Sequence, residues 1–187
     1  MNSSRYKFKP GDKVILLCEL SFSKDNMAVT YLPGTIVVVA DCLRTGHPER
    51  SYHVRKGFNI VVEVRESQLV KLPRQDQLAQ LCMEECGEFS QELSKFCRFG
   101  KQDGITIDDQ YYPPIEGRIK KEYTDILTTA HILAVEAGIE LPFSPAYSND
   151  SDVLEHFQEQ CRKKLYRIAI NIKNHGVVWT ENGYVKA

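Results

Sequence analysis

Hydrophobic positions along the chain follow two rhythms, and the change comes near residue 72. From Lys7 to Leu72 apolar residues cluster in short β-rich runs, KVILLCEL, GTIVVVA, SYHVR, NIVVEV and QLVKL. Turn material such as KPGD, YLPG and RTGHPER separates them, with glycine and proline as punctuation. Runs of this length and spacing predict a small, strongly bent β-barrel. After the polar junction PRQDQ, apolar residues recur at three- and four-residue intervals, the helical period. That period predicts helices over about 76–98, 117–138 and 151–174. The break GIELPFSPAYSND ends in Asn149, Asp150 and Ser151, which are good N-caps for the third helix. The expected fold class is α+β in two domains, a barrel over 1–74 and an all-α bundle over 75–187.

The first helix contains EECGEFSQELSKFCRFG, residues 84–100, and its phase is informative. At about 100° per residue, with Glu85 at zero, Leu78 and Phe96 fall near +20°, Phe89 near +40°, Leu81 near −40°, Glu92 near −20° and Glu88 near −60°. Glu85 is thus central to the apolar stripe, and Glu88 lies on its rim. The second helix, RIKKEYTDILTTAHILAVEAG, repeats the device: with Glu122 at zero, Leu133 falls near +20°, Ile126 near +40°, Ile119 near +60° and Asp125 near −60°. If the two stripes pack antiparallel, four carboxylates converge. Four negative charges in low dielectric require cations, and an all-oxygen ligand set selects a hard ion, Mg²⁺ or Mn²⁺, over zinc.

EECGE followed downstream by EYTD resembles the EExxE…ExxD signature of the MazG-like nucleotide pyrophosphohydrolases, an all-α family, and SKFCRFG is similar to a run in its phage-type members. The resemblance covers residues 75–140 well and 150–175 loosely. It implies Mg²⁺-dependent cleavage of a nucleoside triphosphate between the α and β phosphorus atoms, with Glu85, Glu88, Glu122 and Asp125 as metal ligands. Thirty-three residues lie between Glu88 and Glu122, so the stretch with Tyr111 and Tyr112 is an expected insertion. Around the metal, Glu84 or Glu92 is the candidate general base, and Lys95, Arg98 and Lys121 are candidate phosphate-binding residues. A base could stack on Phe96, Phe99, Tyr112 or Trp179. The opening KPGDKVILL, with PGTIVVV and VEVRESQLVKL, resembles SH3-like barrels used as accessory modules for assembly or targeting.

Composition narrows the remaining classes. A chain that is 42% hydrophobic and 26% charged can form a core. No apolar run reaches the roughly 18–20 residues of a membrane span, and MNSSRYKFKPGD lacks a signal-type stretch, so the expected compartment is the cytoplasm, a host's if the chain is phage-encoded. Residues 1–72 hold 11 basic and 7 acidic residues, a mild positive bias that permits nucleic-acid contact through the barrel. Six cysteines form no C-x-x-C pair and are expected as small buried thiols. A ferritin-like metal centre needs E-x-x-H pairs, and none occurs. The competing class is a non-catalytic nucleotide- or nucleic-acid-binding regulator on the same helical scaffold. Three helices with apolar flanks do not close a bundle alone, so a homodimer or homotetramer is expected.

Overall fold

A computed structural model describes residues 7–24, 27–43, 49–56, 61–107, 110–141, 145–175, 178–180 and 183–185. The fold is α+β. By internal contacts the chain divides into two units, Met1–Pro73 with Arg162–Ala187, and Arg74–Cys161.

In the first unit seven described strands precede the helices: β1 (Lys13–Leu16), β2 (Leu20–Lys24), β3 (Met27–Tyr31), β4 (Ile36–Leu43), β5 (Ser51–Arg55), β6 (Val61–Arg65) and β7 (Leu69–Lys71). Five of them form one antiparallel sheet in the order β6-β5-β4-β1-β7, while β2 and β3 pair only with each other. The predicted barrel is therefore not closed: among the described residues β6 and β7 remain edges. Leu20, Phe22 and Val29 of the β2–β3 hairpin lie instead against the core of Phe8, Val14, Leu16, Val37, Tyr52 and Val54. A hairpin that covers a sheet face buries apolar area without joining the edges. Part of the turn RTGHPER lies outside the described residues, as does the side chain of Trp179.

Strand β1 has apolar side chains on both faces, and Ile15 and Val70 are buried as well as Val14 and Leu16. The same unit contains the C-terminal part of helix α3 (Ser151–His175), with Leu165, Ile168 and Ala169 buried. Arg162 Nη1 donates to Pro33 O at 2.5 Å, and Lys173 Nζ donates to Ser67 O at 2.9 Å. Gly34 makes this approach possible. Its φ is +89°, and a Cβ there would stand 2.1 Å from the Arg162 carbonyl oxygen.

The second unit holds α1 (Gln75–Phe99), α2 (Ile115–Ala137) and the first turns of α3. Asp150 caps α3 as anticipated, its Oδ1 accepting from the amides of Asp152 (2.9 Å) and Val153 (3.4 Å). The region after residue 75 is not wholly helical: β8 (Ile105–Ile107) and β9 (Gln110–Tyr112) form a hairpin before α2, and β10 (Val178–Thr180) and β11 (Gly183–Val185) form another after α3. β-branched and aromatic residues at these sites favour extended backbone, which corrects the all-α reading of 75–187. The expected burial of the α1 stripe holds in part. Leu78 is fully buried, Leu81 and Phe89 are partly covered, and Phe96 is 37% exposed. The thiols also differ from expectation, since Cys161 is buried but Cys86 and Cys97 are exposed. No described helix is long and apolar enough to cross a membrane.

Gly34 and Gly11 separate two effects, because both have left-handed φ but a Cβ on Gly11 meets nothing within 4 Å. Gly11→Ala should cost about 1 kcal/mol of backbone strain. Gly34→Ala should cost about 2–4 kcal/mol, because the backbone of α3 must also move. Urea unfolding of both variants checks this, and equal losses would show that α3 does not rest on Gly34.

Candidate metal centre

Helices α1 and α2 run antiparallel, and their contacts keep one register. Stepping back four and then three residues along α1 matches stepping forward four and three along α2. Glu92 meets Arg118, Glu88 meets Glu122, and Glu85 meets Asp125. Phe89 stacks at a tilt on Tyr123 with centroids 6.0 Å apart, and Gln75 Nε2 donates to Glu136 O at 2.6 Å at the far end. The seam thus gathers Glu85, Glu122 and Asp125 of the four expected carboxylates into one cluster, while Glu88 stands beside it on the exposed rim.

One carboxylate oxygen from each of Glu85, Glu122 and Asp125 lies within 4.8 Å of the other two. Glu122 and Asp125 are buried, at 8% and 4% exposure, and Glu85 is half-buried. Glu122 Oε2 is buried with no hydrogen-bond donor facing it. Glu88 reaches solvent on one side. Its carboxyl is held above the usual range by partial burial, then by the charges of Glu85 and Glu122, with Lys121 opposing. Lys121 Nζ stands 2.6 Å from Glu122 Oε1 and 3.3 Å from Asp125 Oδ2. Burial works against that ammonium, but the two carboxylates outweigh it and raise its pKa. Below Asp125 the seam becomes neutral: the Thr129 hydroxyl donates to Asp125 O at 2.7 Å and is satisfied within its own helix.

About one helical turn, ~5 Å, from the acids lies a compensated group. Glu92 is buried and accepts from Lys95 Nζ (2.5 Å) and Arg118 Nε (2.9 Å), while Arg118 Nη1 also donates to Pro113 O at 3.2 Å. Burial alone would raise the Glu92 pKa, yet Lys95 and Arg118 together bring it below the usual range. A carboxylate held this way is a poor proton acceptor. Glu84, the other candidate base, is exposed. Arg98 Nε turns back to Ser94 O at 3.4 Å, satisfying its own helix end.

Arg118 was not singled out from the sequence. The signal was available, for it stands four residues before Glu122 and so above it on the same face, but its partner lies on another helix. An apolar-walled pocket between α2 and α3, lined by Leu127, Val153 and Phe157 among others, uses Thr124 and Leu127. Those residues lie roughly 140–160° around α2 from Glu122, so the pocket does not open on the acids.

Oxygens bound to a single Mg²⁺ at about 2.1 Å lie no more than about 4.2 Å apart. Only one pair among three ligands can be trans, so the Glu85, Glu122 and Asp125 oxygens must draw together toward the roughly 3 Å of a cis pair to share one ion. The donor set is all oxygen, and a buried lone pair on Glu122 faces no donor, so these residues fit a hard divalent cation. Comparison with protein-family models, curated proteins and solved structures finds no match to the chain.

The Glu92 group generates a pH-dependent prediction. Its folded pKa is depressed, so its charge contributes stability above the unfolded carboxylate value, and that contribution is lost as pH falls through the folded value. Glu92→Gln should lower stability by about 1–2 kcal/mol at pH 7, discounted for the half-exposed Lys95, and by nearly nothing at an acid pH below the folded value. Urea titrations at both pH values check it, and an equal loss at both would mean that the effect is packing rather than charge.

Proposed function

We propose that the chain is a Mg²⁺-dependent nucleoside triphosphate pyrophosphohydrolase built on a MazG-like helical scaffold. The observation that carries this reading is the cluster of Glu85, Glu122 and Asp125 oxygens within 4.8 Å across two helices. Support also comes from Glu88 against the same cluster and from the resemblance of EECGE…EYTD to that family's signature. An acidic seam that repels itself is costly unless it holds cations.

In this reading Glu85, Glu88, Glu122 and Asp125 hold the ion, which when bound neutralises phosphate charge and acidifies water. The chain's own cations position the substrate. Lys95 and Arg118, about one turn from the acids, receive phosphate oxygens, with Arg98 and Lys121 further candidates. Water attacks the α-phosphorus, the bond to the bridging α–β oxygen breaks, and pyrophosphate leaves with that oxygen. The proton lost by water passes to a carboxylate, and since Glu92 is held by two cations, Glu84 is the candidate acceptor. The geometry favours catalysis over a non-catalytic binder, because a binder gains nothing from uncompensated buried charge.

Incubation with a panel of triphosphates and Mg²⁺ should release monophosphate and pyrophosphate. Release of diphosphate and orthophosphate would reject the proposed bond. Glu85→Gln and Asp125→Asn should abolish turnover, yet keep or raise the metal-free melting temperature by relieving repulsion. Unfolding of both variants would point to a structural role.

The reading includes a second copy of the chain. Leu93, Phe96 and Phe99 near the C-terminal end of α1 are exposed, at 38%, 37% and 61%, so among the described residues this apolar end of the helix stays uncovered. Light scattering at micromolar concentration should return a dimer or tetramer, and a monomer mass would remove this part.

A further inference from the structure

The divalent-cation reading of the acids leaves one residue unexplained. Lys121 already lies on two of the three carboxylates that define the centre. We propose that Lys121 is a tethered counter-cation, which holds the Glu122 and Asp125 carboxylates until a divalent ion takes them and then releases its ammonium from the cluster. This rests on the metal-centre reading and deepens it.

Competition follows from shared lone pairs. The Nζ atom, 2.6 Å from Glu122 Oε1 and 3.3 Å from Asp125 Oδ2, occupies the acceptor sites that an ion bridging those residues would need. One ammonium also leaves the group under-compensated, since Glu122 Oε2 is buried with no hydrogen-bond donor. A divalent ion supplies twice the charge at the same place. Lys121 can leave easily: its side chain is 56% exposed, so the ammonium can be rehydrated as it moves. Its pairing with Asp125 is also the weaker i,i+4 arrangement, with the cation on the N-terminal side.

Arg118 provides the contrast. It is 20% exposed, its guanidinium bonds both Glu92 and the Pro113 carbonyl, and nothing in its geometry marks it for displacement. One cation is a fixed strut between the helices, and the other is exchangeable. Once released, the Lys121 ammonium remains within a side chain's length of the acids. There it can meet an anionic ligand of the bound ion, which gives the expected phosphate contact of Lys121 a physical route.

Mn²⁺ binding to the full-length protein, followed by the electron paramagnetic resonance signal of free Mn²⁺, tests this without reference to turnover. Lys121→Met and Lys121→Gln should both bind Mn²⁺ about tenfold more tightly than wild type, because the ion no longer displaces an ammonium. Lys120→Met measures the through-space effect of removing a charge, since Lys120 is exposed and acts on Glu116, and it should change Mn²⁺ affinity far less. The two Lys121 variants should also melt lower than wild type without metal and regain the difference with saturating Mn²⁺. Lys121 variants that bind no more tightly than Lys120→Met would overturn this proposal and leave the metal centre standing. Absence of Mn²⁺ binding in all four proteins would overturn both.

Discussion

Mutual repulsion among the carboxylates on the α1–α2 seam is the constraint to which the rest of the helical unit answers. Glu85, Glu88, Glu122 and Asp125 come together because two amphipathic helices bury the same stripe, and that burial takes away the water that would screen them. The seam holds because its ends are attractive where its middle is not. Leu78 is fully buried toward one end, with Gln75 bonded to the Glu136 carbonyl, and Glu92 is clamped by Lys95 and Arg118 toward the other. The helices are therefore pinned on either side of a region that favours separation. Such a region costs stability unless a cation offsets its charge.

The two kinds of cation on this seam suit their tasks. A guanidinium is planar and weakly hydrated, so it can be buried and bonded in several directions at once, as Arg118 is between Glu92 and Pro113. An ammonium is compact, strongly hydrated and carried on a flexible stem, which suits Lys121, whose head reaches the acids while its side chain stays 56% exposed. Exchanging the two residue types would leave the charge count unchanged but make the strut loose and the exchangeable ion permanent.

Much of this was legible in the sequence, and what was not has physical reasons. Helical period and capping residues located three helices within a few residues, and Asp150 caps where its side-chain chemistry says it should. The phase of Glu85 and Glu122 placed both acids inside their stripes, and the antiparallel seam brings them together. Arg118 was hidden because a helical wheel describes one helix, whereas the ion pair with Glu92 depends on the register between two. Lys121 read as a phosphate-binding candidate, and its contacts with Glu122 and Asp125 stayed hidden because Cα direction says little about where a four-carbon stem ends. In the sheet unit, alternation and turn glycines identified strands but not their edges. Whether β6 and β7 close a barrel depends on strand lengths and twist, and here the β2–β3 hairpin covers the core instead. The tyrosines of β9 read as loop because three-residue strands are too short to show a period of two.

Exposure along α1 follows from the same electrostatic constraint. Leu93 and Phe96 follow Glu92 within about one helical turn, and both stand open in the single chain. Anything that covered Phe96 and extended about two turns back along the helix to Glu88 would bury apolar area and also remove water from Glu88, whose carboxyl already lies against Glu85 and Glu122. Covering the face would make the uncompensated acids less favourable and the cation-loaded acids relatively more so. Assembly and cation binding would then favour one another, each raising the free energy of the state in which the other is missing. The coupling needs no conformational signal between distant sites, only that the apolar stripe and the carboxylates share one helix face.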